Sequence, residues 1–418
     1  MHHAQNRPPF PPAKPDSRAA SQPLLLLRGA TVFDPQPRGR CDVLVASGVV
    51  AALSPNIEAP AAGWPCETLD ASGLLLLPGL VDGHVHLCGG GGERGPETKV
   101  PPLPLSALTR AGVTTVVGLL GTDTSSRSPR ELLAAVNALR RLGLTAKMWT
   151  GGYPVPTPTL LGNVRDDIAL CDAVIGAGEV AISDHRSSQP TFEELARLAG
   201  ECHVGGMLGG KAGVLHLHVG DGARGLALVR RVATETEIPG RVLQPTHCNR
   251  NPRLFEEVLA LAAEGLGVAF DLTAFPPDPD DAALPAEVAA ARYLDAGLPA
   301  AKLTISSDAG GCLPCFDADG HMLHMDVGSS GELLATLRRW CAAGRPLEAL
   351  LPAMTLHPAD ALRLHGKGRV AVGAAADLLL VDATLAVRHV IAGGRVLVRD
   401  GEACVRGPLE PAGQGDPP

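Results

Sequence analysis

Two histidines separated by one residue, His84 and His86, end the apolar segment PGLVDGHVH. Side chains two positions apart on a β-strand point to the same face, so both imidazoles can bind one metal ion. Taken alone, the pattern is equally compatible with two ordinary exposed or hydrogen-bonded histidines. The pair therefore defines a candidate metal site that needs further ligands.

Further ligand-type residues occur at the ends of apolar segments later in the chain. His218, His247 and Asp308 end or directly follow the predicted strands 213–219, 242–246 and 302–307. Imidazole and carboxylate groups suit zinc or a similar borderline metal. His216 shares a strand face with His218 and is the main rival ligand. Five ligand-type residues at successive strand ends favour a metal site over coincidence.

The segments around these residues predict the elements that position them. From about residue 106 onward, short apolar runs alternate with amphipathic stretches, which is typical of βα units around a parallel sheet. Three helix starts are marked by SPRE at 128–131, TFEE at 191–194 and NP at 251–252, and Gly143 marks a helix end. In a β/α barrel, catalytic residues lie at the C-terminal ends of the strands.

The two ends of the chain differ from its middle. Residues 24–77 and 366–408 contain short strands, such as 376–381 and 389–398, broken by Gly, Pro and Asp. Strands of this kind cannot bury an apolar face alone, so we expect the two ends to form one small β-sandwich domain. Residues 78–365 then form an inserted (β/α)8 TIM-like barrel, which makes the fold class α/β.

Composition excludes several classes of protein. The 418 residues carry a formal net charge of −8 and show no extended basic run, which argues against nucleic-acid binding. No apolar run approaches the roughly 20 residues that span a membrane. Residues 1–23 are proline-rich and lack the apolar core of a signal peptide, so we expect a disordered leader and a cytoplasmic protein. Residues 409–418 are expected to form a disordered tail.

The order HxH, His, His and Asp, in a barrel flanked by a split β-domain, resembles the amidohydrolase superfamily. Longer phrases are similar to the isoaspartyl dipeptidases, the beta-aspartyl-peptidases of that superfamily. They are HVHLCGGGGERGP (84–96), AGVTTVVGLLGTD (111–123), AISDHRS (181–187), VGGMLGGKAGV (204–214), PTHCNRN (245–251) and SSDAGG (306–311). The resemblance extends from Leu24 to about Pro408.

The resemblance implies a metallo-dipeptidase with two divalent metal ions, expected to be zinc, and a bridging hydroxide that attacks the isopeptide bond of β-aspartyl dipeptides. His84 and His86 would hold one ion, and His218 and His247 the other. Asp308 would contact the first ion and act as the general base. The family also implies a homo-oligomer, specifically a homo-octamer built from dimers.

Substrate contacts are implied in the same way. Tyr153 would hydrogen-bond the scissile carbonyl oxygen, and Glu93 would pair with the free α-amino group of the substrate. Arg186 and Arg250 would hold its carboxylates, for which the guanidinium fork is suited. The remaining implied contacts are Gly91, Thr122 and Cys312.

The sequence departs from the family at two positions. Where the family has a lysine that becomes carbamylated and bridges the metals, this chain has Glu179, with one extra residue before it. A glutamate is a ready-made but shorter carboxylate, so Glu179 is the expected bridge. The rivals are a carbamylated Lys147 or Lys211, or a site bridged by water alone.

The second departure is Cys312, which replaces a serine that helps to hold substrate. With Cys315 it forms a CxxC pattern, which without a second pair is weak evidence for a separate zinc or redox site.

Two other functions stay open at this stage. One is a different amidohydrolase activity, such as cyclic-amide hydrolysis or N-acyl-amino-acid deacylation. Glu93 argues against it, because an acylated nitrogen has no use for a carboxylate partner. The other is a non-catalytic scaffold, against which the four histidines and Asp308 argue.

Overall fold

The computed structural model describes residues 24–60, 64–278, 281–316 and 322–410. The strands in chain order are β1 (Leu24–Asp34), β2 (Gln36–Ala46), β3 (Val49–Ser54), β4 (Cys66–Asp70), β5 (Leu75–Pro78), β6 (Leu80–Val85), β7 (Val113–Gly118), β8 (Thr145–Thr150), β9 (Val174–Ile182), β10 (Val214–Val219), β11 (Leu243–Thr246), β12 (Phe270–Thr273), β13 (Leu303–Ser306), β14 (Cys312–Phe316), β15 (Met322–Val327), β16 (Leu378–Val381), β17 (Val387–Ala392), β18 (Arg395–Arg399) and β19 (Glu402–Ala403).

The helices in chain order are α1 (Leu105–Arg110), α2 (Pro129–Leu142), α3 (Val164–Leu170), α4 (Phe192–Gly209), α5 (Ala227–Glu235), α6 (Pro252–Ala263), α7 (Ala286–Asp295), α8 (Gly331–Ala342), α9 (Leu347–Leu350) and α10 (Leu356–Ala361). Short 3-10 turns lie at Pro96–Thr98, Gly240–Val242, Ala300–Lys302 and Leu351–Met354. Within the described part of the chain, no helix has the length and apolar character needed to cross a membrane.

Strands from both chain ends form one nine-stranded sheet. Its order is β19-β18-β17-β16-β5-β1-β2-β3, with β4 paired to β1. The two ends meet where β5 pairs antiparallel with β16, Leu76 opposite Leu380. Leucines and valines from both ends pack into a core of their own, separate from the barrel core. The expected β-domain built from both ends therefore exists as a separate sheet.

The middle of the chain forms the barrel. Strands β6 to β11 lie parallel and in sequence order, and β12 and β13 form a parallel pair. The Ala269 backbone N–H donates to Leu243 O, which joins β12 to β11. A parallel bridge between Val85 and Ala309 joins β6 to the chain after β13. Eight described parallel strands thus lie in ring order, and the predicted α/β class with a TIM-like barrel is confirmed.

The predicted helix signals act as expected. The Ser128 side chain accepts from the Glu131 N–H at the start of α2, and Gly143 ends that helix with φ 107°. Thr191 and Glu194 form a capping box at α4. Asn251 caps α6, with Pro252 in the first position. All three predicted starts are confirmed because a cap is a local contact that the sequence alone encodes.

Two sequence-based boundaries need correction. The predicted strand 389–398 is two strands, β17 and β18, because Gly393 and Gly394 adopt φ 53° and 80° and form the turn of a hairpin. The predicted tail begins too early. The Glu410 carboxylate accepts from the Leu105 and Ser106 N–H groups at the start of α1, which ties the chain to the barrel as far as residue 410. Residues 1–23 and 411–418 lie outside the described residues.

Candidate active site

Neighbouring strands of the barrel bring the predicted ligands together. His84 lies in β6 and His86 directly after it, and the bridge between β6 and the chain after β13 places Asp308 beside them. The neighbouring strands β9 and β10 contain Glu179 and His218, and His247 directly follows β11. All six side chains are buried. Ring order in the barrel thus converts distant sequence positions into one cluster.

The first group of donor atoms surrounds a single point. Asp308 Oδ1 lies 3.1 Å from His86 Nε2 and 3.3 Å from His84 Nε2. Glu179 Oε1 lies 3.5 Å from His86 Nε2 and 3.7 Å from His84 Nε2. Two ligands bound tetrahedrally at about 2.05 Å from one ion lie about 3.3 Å apart. The spacing therefore matches that of donors around a metal.

The second group uses the other oxygen of Glu179. Its Oε2 lies 3.1 Å from His218 Nδ1 and 3.4 Å from His247 Nε2. The opposite ring nitrogens are already engaged, since His218 Nε2 lies 2.9 Å from Asp184 Oδ2 and His247 Nδ1 lies 2.8 Å from Thr273 Oγ1. Such contacts fix the tautomer that leaves the inner nitrogen free to bind a metal.

Electrostatics of the cluster favour a cation. Burial alone would raise the pKa of Glu179, but His84 and His218 hold it well below its ordinary value. Burial alone would lower the pKa of His84, but the carboxylates of Glu179 and Asp308 raise it to about 9. The carboxylates of the cluster thus favour positive charge between them, which a bound cation would supply.

The donor set fits divalent metal ions. His84 Nε2 and Asp308 Oδ1 are buried and, although 3.3 Å apart, form a hydrogen bond neither with each other nor with another described residue. Polar atoms of this kind are costly in a protein interior unless something satisfies them. A metal ion between the imidazoles and carboxylates would do so, and the ligand types suit zinc.

Two of the donor residues have unusual backbone conformations. His247 has φ 58° and Asp308 has φ 51°, both in the left-handed region that only a few non-glycine residues enter. Each stands just beyond the end of its strand, at the point where the chain turns. Conformations of this kind cost free energy and concentrate at functional sites.

Two buried aspartates that sequence reasoning missed support the donors. Asp82 accepts from the Ser307 backbone N–H at 3.1 Å and from the Ser330 hydroxyl at 3.2 Å, and burial raises its pKa to about 6. It thereby fixes the segment that carries Asp308. Asp184 accepts from Arg186 and contacts His218, as described above. Burial alone would raise the pKa of Asp184, but these partners lower it strongly.

Tyr153 reaches the same cluster from the β8 side. Its hydroxyl lies 2.8 Å from His218 Nδ1, and the Arg186 guanidinium lies 5.4 Å from its ring centroid. Burial and the charge of Glu179 hold the pKa of Tyr153 well above its ordinary value. The phenol therefore stays protonated and can donate a hydrogen bond to a developing oxyanion.

The predicted substrate-binding residues lie at the mouth of the cluster. Glu93 Oε1 accepts from the Thr122 hydroxyl at 3.1 Å and lies 3.6 Å from Arg186 Nη1. Gly91 has φ 79°, and a Cβ atom there would lie 2.5 Å from Thr98 O and 3.1 Å from Cys312 Sγ. Only glycine fits that position, which brings the loop close to the Cys312 side chain.

A small pocket and a larger cavity meet at the cluster of candidate metal ligands. The pocket, of about 40 Å³, is lined by all of the donor residues except His84 and by the predicted substrate-binding residues. The cavity has about 870 Å³ and shares four lining residues with the pocket, namely His247, Arg250, Asp308 and Cys312. Arg250 therefore faces both spaces. Burial raises the pKa of Cys312 to about 11, with smaller contributions from Glu93 and Asp308, so its thiol is neutral.

The rival residues lie elsewhere. Lys147 Nζ donates to Asp172 O at 3.0 Å and Lys211 Nζ to Ile168 O at 2.7 Å, and neither lysine lines the pocket. His216 sits behind the cluster, with Nε2 2.9 Å from His84 Nδ1. His185, inside the phrase AISDHRS, has an 87% exposed side chain and lines the larger cavity. The side chain of Cys315 lies outside the described residues, so the CxxC pattern remains untested.

Known proteins share this architecture. The beta-aspartyl dipeptidase from the thermophilic keratin-degrading Fervidobacterium islandicum AW-1, in complex with a beta-Asp-Leu dipeptide, is 42% identical. The match covers 91% of this chain and 97% of that one, with a TM-score of 0.86. Dihydropyrimidinase from Brevibacillus agri, at 15% identity and a TM-score of 0.62, shares the fold.

Shorter segments of the sequence are similar to segments of other enzymes. An allantoinase from Deinococcus radiodurans is 46% identical over 63 residues, which is 15% of this chain and 13% of that protein. This chain thus matches only a small part of that relative. The amidohydrolase family model matches residues 75–397, most of the chain. The resemblance seen in the sequence is confirmed, and this chain belongs to the amidohydrolase family.

Proposed function

We propose that the chain hydrolyses the isopeptide bond of β-aspartyl dipeptides with two divalent metal ions, preferably zinc. The observation that carries the proposal is the position of Glu179, whose two carboxylate oxygens face two separate sets of imidazoles. The likeness to the beta-aspartyl dipeptidase of Fervidobacterium islandicum supports the choice of substrate.

The chain's own residues have distinct roles in the proposed reaction. His84, His86 and Asp308 would hold one ion, His218 and His247 would hold the other, and the Glu179 carboxylate would serve both. When bound, the ions would activate a water molecule and polarise the scissile carbonyl. Asp308 takes the proton of that water and passes it to the leaving amine. The protonated Tyr153 donates to the carbonyl oxygen as negative charge develops there.

Recognition is assigned to the loops around the pocket. Glu93 pairs with the α-amino group of the substrate, and Arg186 and Arg250 pair with its carboxylates. Thr122 and Gly91 hold the loop geometry around Glu93, and the neutral Cys312 thiol packs against the substrate. Arg250 lines both the pocket and the larger cavity. If it binds the carboxylate of the leucine in β-aspartyl-leucine, that residue, which is released as the amine, lies towards the larger cavity.

A substrate panel tests the proposal against another amidohydrolase activity. The zinc-loaded protein should cleave β-aspartyl-leucine and leave α-aspartyl-leucine and a hydantoin intact. N-acetyl-β-aspartyl-leucine is the matched control for the amino group, because acetylation removes the charge that Glu93 would pair with. Preferred cleavage of the hydantoin or of the acetylated dipeptide would overturn the proposal, and inactivity on all four would favour a non-catalytic scaffold.

The number of ions is tested separately. Elemental analysis after dialysis should find about two ions per chain, because four histidines and two carboxylates exceed the needs of one tetrahedral site. A content that stays at one in excess zinc would contradict the two-ion site. A cytoplasmic location and a homo-octamer remain predictions from the sequence.

A further inference from the structure

A chain of buried hydrogen bonds leads from His84, one of the candidate metal ligands, into the interior of the barrel. His84 Nδ1 lies 2.9 Å from His216 Nε2, and His216 Nδ1 lies 3.1 Å from Gln244 Oε1. Gln244 Nε2 donates to Thr304 Oγ1 at 3.3 Å, and Thr304 donates to Asp271 Oδ1 at 2.6 Å. All five side chains are buried, and they lie on five strands of the barrel, namely β6, β10, β11, β12 and β13. We call it the His84–Asp271 relay.

Asp271 determines which group donates and which accepts in each hydrogen bond of the relay. Its carboxylate receives three hydroxyl donors, from Thr304, Thr246 and Ser306. A carboxylate surrounded by donors acts only as an acceptor. The Thr304 proton therefore points to Asp271, which leaves the Thr304 oxygen to accept from the Gln244 amide. Gln244 must then present its carbonyl oxygen to His216.

The same assignment of donors and acceptors extends through His216 to His84. His216 can donate to the Gln244 carbonyl only from Nδ1, so its Nε2 carries a lone pair. That lone pair accepts the proton of His84 Nδ1, and the neutral His84 ring then has its own lone pair on Nε2. This is the nitrogen that lies 3.3 Å from Asp308 Oδ1 among the other donors. Each link in the relay thus fixes the tautomer of the next.

The plane of the central imidazole is also fixed. The His216 ring stacks on the indole of Trp149, with centroids 4.9 Å apart and an interplanar angle of 3°. Trp149 Nε1 donates to Gly83 O at 3.0 Å, in the residue before His84. Both ring nitrogens of His216 are engaged within the relay, so this residue serves the cluster from behind.

We propose that Asp271 is a positioning residue that, through the relay, keeps the proton of His84 on Nδ1 and Nε2 available to the metal. The proposal rests on the proposed function only in requiring that the cluster bind metal. Partners of metal-binding histidines typically change metal affinity 10- to 100-fold when they are removed.

Two threonines provide a matched pair of variants. Thr304 and Thr246 both donate a hydroxyl to Asp271, but only Thr304 belongs to the relay. Thr304→Val and Thr246→Val each remove one hydroxyl with little change of shape. Zinc affinity is measured on the full-length apo-protein by competition with a chromophoric chelator, and melting temperatures show that both variants fold.

The expected result is a difference between the two variants. Thr304→Val should weaken the binding of one of the two ions by about 10- to 100-fold. Thr246→Val should stay close to the unsubstituted protein. Turnover of Thr304→Val should recover in excess zinc with KM unchanged, which a general loss of structure would not permit. Equal losses in both variants, or none in either, would overturn the relay.

Gln244 supplies a second pair in case a threonine variant fails to fold. Gln244→Met removes the hydrogen bonds to both His216 and Thr304, so it should reproduce the loss of zinc affinity. Gln244→Glu, protonated in the buried relay, can still accept from His216 and donate to Thr304, so it should retain the affinity. A loss in the glutamate variant as large as in the methionine variant would count against the relay. If the unsubstituted protein binds no zinc, the proposed function fails instead.

Discussion

The floor and the rim of the site are built in different ways. Six side chains form the floor: His84, His86, Glu179, His218, His247 and Asp308. They lie in strands or within two residues of a strand end, and all are buried. Four side chains form the rim: Glu93, Arg186, Arg250 and Cys312. Glu93, Arg186 and Arg250 lie on loops, Cys312 is the first residue of β14, and all four are partly exposed.

The floor is expected to bind metal, and the rim is expected to bind substrate. The floor is held by the ring of strands and by buried partners such as Asp82 and Asp184, so its geometry is fixed before a ligand arrives. The rim lies mainly on loops, which tolerate change better than strands. Substitutions in the floor should therefore remove metal and activity together, whereas those in the rim should alter substrate binding and leave the metal in place.

The largest effect is expected for Glu179→Ala. The change removes the carboxylate between two groups of imidazoles, so two cations would repel each other at close range. Activity should fall by about 10³-fold, because metal ions contribute several kcal/mol to the transition state and about 1.4 kcal/mol corresponds to a tenfold change in rate. Metal content should fall with it in elemental analysis.

A surface carboxylate is the control for that variant. Glu235→Ala removes an exposed ion pair with Arg231 and should change neither quantity. The same assay distinguishes Glu179 from a carbamylated lysine. Reconstitution of the unsubstituted apo-protein with zinc should be indifferent to bicarbonate, because a glutamate is ionised at neutral pH without modification. Recovery that depends on bicarbonate would refute the role of Glu179.

An intermediate effect is expected for Glu93→Gln. A hydrogen bond between charged groups contributes roughly 1.5–3 kcal/mol, so kcat/KM for β-aspartyl-leucine should fall about 10- to 100-fold. Metal content should stay at the value of the unsubstituted protein. Simultaneous loss of metal would show that the rim and the floor are not separate.

Arg250→Ala should have a comparable or smaller effect and act mainly on KM. Its guanidinium faces both the pocket and the larger cavity, and its Nε has no hydrogen-bond partner among the described residues. Arg253→Ala is the matched control, since the exposed Arg253 lies nearby on α6 and pairs with Glu257. Steady-state kinetics in which the two variants behave alike would remove Arg250 from the site.

The smallest effect is expected for Cys312→Ser. The thiol is neutral because burial raises its pKa to about 11, so serine replaces one uncharged hydrogen-bonding group with another. Turnover of β-aspartyl-leucine should remain within about threefold or improve, because a hydroxyl is the stronger donor. A loss on the scale of Glu93→Gln would assign Cys312 a larger role than packing.

The floor was easier to predict from sequence than its supports. His84, His86, His218, His247 and Asp308 could be found because each follows an apolar segment, and a polar residue in that place is conspicuous. Asp271 and Gln244 gave no such signal. Their part in the proposed relay depends on contacts with residues 28 to 60 positions away in the chain, which no local pattern encodes.

Local signals also explain which elements were predicted well. Helices α2, α4 and α6 begin where their caps predict, because a cap and its partner are three residues apart. The hairpin of β17 and β18 was missed because its two glycines lie inside a continuous apolar pattern. The position of Glu179 between two histidine groups could be expected only from family resemblance, since its strand reads as an ordinary buried one.

Pairing of β5 with β16 has a consequence for synthesis of the protein. Pro78 and Leu378 are partners in that sheet, so about 300 residues must be translated between them. At 5 to 20 residues per second, β5 waits about 15 to 60 s for its neighbour. During that time the leucine-rich edge of β5 is an unpaired template for other chains. The barrel can form on the ribosome first, whereas the β-domain closes only when synthesis is almost complete.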